Sequence, residues 1–354
     1  MNATQDFDTG PLNWVRSDIE AALKNAIDRV HAYEADHSLE NALRLARDEI
    51  HMATGALRMV GLEGATKVSV ALEDVFNGMA DKSISATPDN TRTLLTAIET
   101  LRKWVGRMAD GRGEGELALF PAYRNLRTLT GAEQVFEGEL FFPNLKVQRA
   151  TSTPEVAQDE MPQRVKSART DFQRGLLAFL RNIKPEAALA AMRRALAEVE
   201  SCAPSAASRA FWWACAGFID ALQNKGVNPD FNVKQLLARI DLQMRRLMEG
   251  SPQVAERLMR DALFFVATSK ALGNESQAVL EAFALNKYLP RQQTLSAEQQ
   301  AKLQPVLKSL KETLNESRNL WNAYSEGKAE ALTEFEANIG RLFTQAGALN
   351  LSSL

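Results

Sequence analysis

Cysteine and histidine are scarce in this chain, two and three respectively among 354 residues. Cys202 and Cys215 have no second pair beside them and no histidine at ligand spacing, so no zinc site and no other metal is expected. Two scattered thiols fit a reducing compartment. Glycine (19) and proline (12) both fall below the share of an average globular chain, so little interrupts regular structure. Neither sign of charge dominates. Lys and Arg number 42 against 44 Asp and Glu, a formal net charge of −2, which supplies no general attraction to nucleic acid or to an anionic membrane. Long apolar runs are missing too: the longest, Phe211 to Ile219, closes at Asp220, far short of the ~20 residues that span a bilayer. The opening MNATQDFDTG carries neither the basic stretch nor the apolar core of a signal peptide. These absences predict a cytoplasmic protein with no transmembrane segment and no cofactor.

What remains is helical patterning, and the fold class expected is all-α. Pro11 opens a first helix, striped by Leu12, Val15, Ile19, Leu23, Ala26 and Val30. Ser38 is the expected cap of a second, with Leu39, Leu43, Ala46, Ile50, Ala53, Leu57 and Val60 on one face. Val68, Leu72, Val75, Phe76 and Met79 mark a third. Thr87-Pro88 starts a fourth, carrying Leu94, Ile98, Leu101, Val105 and Met108. Four amphipathic helices with short links predict an antiparallel four-helix bundle over residues 1–112. The stretch Gly111-Arg-Gly-Glu-Gly115 lacks the Lys-Ser/Thr ending of a phosphate-cradling loop and reads as a plain connection. Residues 113–147 read as a short helix around Tyr123, Leu126 and Leu129, then an extended apolar piece packed on the bundle. A polar Ser/Thr/Pro-rich linker follows at 148–163. A middle helical domain is expected over 164–294, with Pro185, Pro204, Pro229 and Pro252 each placed where a helix begins and a buried helix around Trp212 and Trp213.

One constellation carries chemistry. On the second helix, Leu39, Leu43, Ile50 and Leu57 lie within about 40° of one another, and His51 lies roughly 120° away from them. It shares that outer flank with Arg44, Arg47, Gly55 and Arg58. A neutral imidazole on an exposed flank is a competent nucleophile toward a phosphoryl group, and the arginines are candidates to pair its oxygens. Gly55 removes side-chain bulk one turn away, where a partner protein would approach. The bland alternative is an incidental histidine on a solvated face.

The stretch resembles the phosphotransfer (Hpt) domain of two-component signalling, whose second helix bears His-x-x-Lys-Gly, followed by Gly-Leu and by Leu-Glu on the next helix. The matching positions are His51, Thr54, Gly55, Gly61-Leu62 and Leu72-Glu73. Thr54 stands where that family has the lysine that helps hold the phosphoryl group. More widely, the chain resembles the N-terminal region of the ChpA/PilL family, the CheA-like hybrid histidine kinases of type IV pilus chemosensory systems, and a stand-alone relative of that region. The stretches that carry this are His51-Met-Ala-Thr-Gly-Ala-Leu-Arg-Met-Val-Gly-Leu62, Leu119-Phe-Pro-Ala-Tyr-Arg-Asn-Leu-Arg, Glu139-Leu-Phe-Phe-Pro-Asn-Leu145, Phe172-Gln-Arg-Gly-Leu-Leu and the Trp212-Trp213 helix.

The resemblance implies a role in the phosphorelay of twitching motility, with recruitment to the inner membrane or cell pole. Its implied partners are response-regulator receiver domains, a polar scaffold protein or the remainder of the same polypeptide. With Thr54 in place of lysine, the first expectation is a non-catalytic scaffold module. The alternative is an active phosphotransfer domain working through His51. No ATP-binding box is present, so an autonomous kinase is not expected; membership of a longer histidine kinase is left open. Finally, Gly347-Ala-Leu-Asn-Leu351 echoes Gly55-Ala-Leu-Arg-Met59. Residues 295–354 then read as the first two helices of a second, degenerate bundle, with Phe343 at its histidine position and the chain breaking off before the bundle is complete.

Overall fold

The computed structural model describes residues 9–37, 39–149, 160–251, 253–290, 297–325, 328 and 330–348, and within them all side chains except those of Thr9, Glu40, 297–307 and 343–348. Among the described residues there are thirteen α-helices and no strand, so the fold is all-α. Contacts divide the chain into two compact units, residues 1–290 and residues 291–354.

The first unit begins with α1 (Thr9–Ala35), α2 (Glu40–Met59), α3 (Glu63–Ala80) and α4 (Pro88–Ala109). Short links force sequential neighbours to run antiparallel. The ring closes because α1 packs on both α2 and α4, and α3 on the same two helices. Its interior is the set of apolar stripes: Leu12, Ile19, Leu23, Val30, Ile50, Leu57, Val68, Leu72, Val75, Leu94, Ile98, Leu101 and Val105 are all buried. Thr87 caps α4 by accepting the Asn90 N–H at 3.3 Å, and Pro88 takes the first helical position, where a missing N–H costs nothing. The expected cap Ser38 lies outside the described residues. Leu39, the N-cap of α2, makes no side-chain cap and is 45% exposed, because its side chain precedes the helix that would have turned it inward.

A 3-10 turn over Glu116–Leu119 leads into α5 (Phe120–Leu129), which closes the α3 and α4 side of the bundle. A second 3-10 turn, Glu137–Leu140, is followed by an extended segment that bridges to the next helices. These are α6 (Met161–Leu180), α7 (Pro185–Ser201), α8 (Ala206–Gln223), α9 (Phe231–Met248), α10 (Glu256–Ala267) and α11 (Asn274–Ala282). At their centre α8 packs on α7, α10 and α11 and is buried without a break from Ala210 to Leu222. Pro185 opens α7, while Pro204 and Pro229 stand immediately before the N-caps Ser205 and Asp230; Pro252 lies outside the described residues.

The bridge is aromatic. Phe136 and Phe141 meet Phe264 of α10 edge-on at 5.1 and 5.7 Å, near the favoured geometry for such pairs. Lys67 of α3 and Arg260 of α10 both sit over the ring of Phe142, at 5.5 and 4.6 Å. Burial and the nearby Arg260 and Arg257 hold the Lys67 ammonium below the usual lysine range, offset in part by Glu139. One hydrophobic core therefore runs from Leu12 to Leu285.

The second unit is a helical hairpin, α12 (Ala297–Ser325) and α13 (Ala331–Ala348). Trp321 meets Phe335 across it at 5.3 Å and Tyr324 on its own helix at 5.8 Å. No helix among the described residues is long and apolar enough to cross a membrane.

Candidate functional site

The turn between α2 and α3 sets the geometry around His51. Gly61 has φ +75°, a left-handed conformation that a side chain would strain. Its N–H reaches Arg58 O at 3.1 Å, and the Leu62 N–H reaches Leu57 O at 3.2 Å, the paired bonds of a Schellman stop. This tight reversal fixes the register of the two helices, so Arg47 of α2 meets Asn77 of α3, and His51 meets Glu73.

The His51 side chain is 75% exposed, yet its Nδ1 lies 3.1 Å from Glu73 Oε2, and Glu73 is only 17% exposed. A carboxylate only accepts, so Nδ1 is the donor, and in the neutral ring the lone pair is on Nε2, facing away from Glu73. Glu73 is anchored on its other oxygen. Thr54, 2% exposed, donates to Glu73 Oε1 at 2.5 Å, and its Oγ1 also lies 2.6 Å from Ser69 Oγ and 2.9 Å from Ile50 O. A hydroxyl has one proton to give, so Ser69 supplies the other bond to Thr54. The result is a half-buried carboxylate, held by a hydroxyl pair, that orients an exposed imidazole. This is the nucleophile-and-orienter arrangement used in covalent catalysis. Beside it, nothing lies within 4 Å of where a Cβ on Gly55 would stand, so the flank is open.

The arginines do not gather at the ring. Arg47 turns to Asp48 at 2.5 Å and to Asn77 at 3.3 Å. Arg44 and Arg58 each stand seven residues from His51, about 10 Å away along the helix axis. Arg44 instead lines a cleft of about 550 Å³ with Tyr33 and Lys82, at one end of the bundle. Phe343 is a residue of α13 whose side chain lies outside the described ones. Glu73 and Ser69 are the site residues that the sequence alone does not mark. Leu72-Glu73 is visible as a family pattern, but no local periodicity ties position 73 to position 51. Among the described residues no group of three His, Cys, Asp or Glu stands close enough to hold a metal ion.

Residues 157–296 match the family model of the FimL scaffold protein second domain. Over 97% of its length the chain is also 26% identical to the scaffold protein FimL of Pseudomonas aeruginosa. The chain is similar to FimL. Of the two resemblances seen in the sequence, the stand-alone protein is thus the supported one. The match to the second domain of FimL covers α6 to α11. The chain spans 63% of the length of the Pseudomonas FimL. No solved structure matches the chain.

Proposed function

We propose that this chain is a helical scaffold module of a type IV pilus chemosensory system, recruited near the cell pole, and that the α2–α3 face around His51 docks response-regulator receiver domains or a polar scaffold protein. The observation that carries this reading is the similarity to a scaffold protein over 97% of the chain. It is supported by Thr54, which is buried in a hydroxyl–carboxylate network where a phosphotransfer domain presents a lysine. The hairpin of α12 and α13 belongs to the same reading as a helix pair of a second, degenerate bundle. Co-precipitation of purified receiver domains by the wild-type chain and equally by His51→Gln is expected. Retention of none by either protein would refute the reading.

A second reading is favoured by one contact, the His51–Glu73 hydrogen bond. With Nδ1–H held by Glu73, Nε2 is free to attack phosphorus. An Nε2–P bond would form as the donor's bond to phosphorus breaks, and the Nδ1 proton would stay facing Glu73. Incubation with a cognate kinase and labelled ATP distinguishes the two. Acid-labile label that disappears in His51→Gln supports transfer; no label under conditions that phosphorylate a control domain removes it.

A further inference from the structure

α6 and α7 lie side by side and between them leave a cleft of about 690 Å³, none of whose lining residues belongs to α2 or α3. Ala168, Gly175 and Ala195 at its base are buried where α6 packs on α7, and the apolar surface open to the cleft comes from Ala178, Ala187 and Ala191, with the aliphatic Ile183, 54% exposed, at one end. From Arg164 to Ala178 the cleft runs along about 21 Å of α6, the length of a four-turn helix. The rim is unevenly charged. Arg164, Arg174, Lys184 and Arg194 line it, against only Asp171 and Glu198. Both carboxylates are already taken, Glu198 by Arg164 and Asp171 by Arg174. Lys184 and Arg194 are left with no ion pair among the described residues, both exposed and about 15 Å apart along α7.

We propose that this cleft docks an amphipathic α-helix of a partner protein that carries carboxylates beside its apolar face. The open alanines accept the apolar stripe at close helix–helix distance, since nothing longer than a methyl rises from them. The two uncommitted cations set the charge of the occupant: carboxylates ten or eleven positions apart on the docked helix would stand opposite Arg194 and Lys184. This is recognition of a helix in a groove, in which apolar anchors supply contact and flanking charge supplies choice of partner. It is independent of the chemistry at His51.

The test uses the full chain and a fluorescein-labelled, lactam-stapled helical peptide of ~18 residues, with leucines on one face and two glutamates eleven positions apart. A twin peptide has lysines in place of the glutamates. Fluorescence anisotropy should show saturable binding of the glutamate peptide and at least tenfold weaker binding of the lysine twin. Ala191→Trp fills the cleft from a half-exposed position, and the double variant K184E/R194E reverses its free charges; each should weaken the glutamate peptide at least tenfold, with an unchanged melting temperature. The proposal is overturned by equal binding of both peptides, by no saturable binding, or by affinity indifferent to Ala191→Trp. It is also overturned if sedimentation shows a wild-type dimer that Ala191→Trp converts to monomer, since the occupant is then a second copy.

Discussion

Glu116 offers a sharp test of how the bundle is joined to the segment after it. Its Oε1 accepts the Gly64 and Ala65 N–H groups at 2.8 and 3.0 Å, capping the start of α3 from another part of the chain. Burial pushes its carboxyl up from 4.5 to about 7, with Glu63 adding to the effect and the two backbone donors opposing it. The folded chain thus holds this proton where the unfolded chain has lost it. From pH 4.5 to about 7, unfolding releases a proton, and stability falls as the pH rises through that window. Below 4.5 both states are protonated, and above 7 both are ionised, so the contribution is flat outside it. The full loss is about 3 kcal/mol, from ~1.4 kcal/mol per pH unit. Glu116→Gln keeps a carbonyl oxygen for the two N–H groups and abolishes the titration. Compared with the wild type at the same pH, the variant should gain up to about 3 kcal/mol between pH 4.5 and pH 8. At roughly 2 °C per kcal/mol for a unit of this size, that is a relative rise of about 5 °C in thermal melts recorded across the range. A difference between variant and wild type that stays constant from pH 4.5 to pH 8 would refute the reasoning.

Other substitutions probe other joints. Asp220 is buried, accepts from Arg193 at 2.9 Å and holds Ser276 by both its N–H and hydroxyl, so Asp220→Ala should cost about 3–5 kcal/mol in urea denaturation. At Gly115 an added Cβ would fall 1.9 Å from Tyr288 O, and Gly115→Ala should lower stability by about 1–3 kcal/mol, whereas Gly55→Ala, with open space around it, should not destabilise. Thr54→Val leaves Glu73 and Ser69 without their shared hydroxyl. It should cost about 1–3 kcal/mol and shift the His51 ¹⁵Nδ1 resonance, while an unmoved resonance would show that the network does not reach the ring. Burial raises both thiols, Cys215 most, so a thiol reagent should label neither cysteine until the chain unfolds.

The helices of the bundle were legible because each pays for its own burial locally: the stripes of α1, α3 and α4 repeat at helical spacing, and Thr87-Pro88 announces α4 within two residues. His51 could be placed on an outer flank for the same reason. Partners across the chain were not legible. Nothing near position 51 names Glu73, and nothing near Thr54 indicates that its hydroxyl meets Ser69, because those distances depend on how far Gly61 turns the chain. The arginine cluster illustrates the converse. Arg44, Arg47 and Arg58 share a flank by angle, yet rise along the axis separates two of them from the imidazole and Asp48 and Asn77 engage the third. Likewise the extended piece around Glu139 reads in sequence as an apolar segment packed on the bundle, while its aromatic residues find partners on α10, more than a hundred positions later.

That aromatic bridge bears on how such a protein can be rearranged by recombination. Cutting after α4 would strip Phe141, Leu117 and Leu119 from the surfaces they cover and leave Lys67 without the ring and the carbonyl that host it. A graft carrying only the four helices around His51 would therefore bring a raw edge into its new setting. The portable piece is the stretch through residue 290, and a histidine that travels in such a parcel always arrives with the α6–α7 cleft attached.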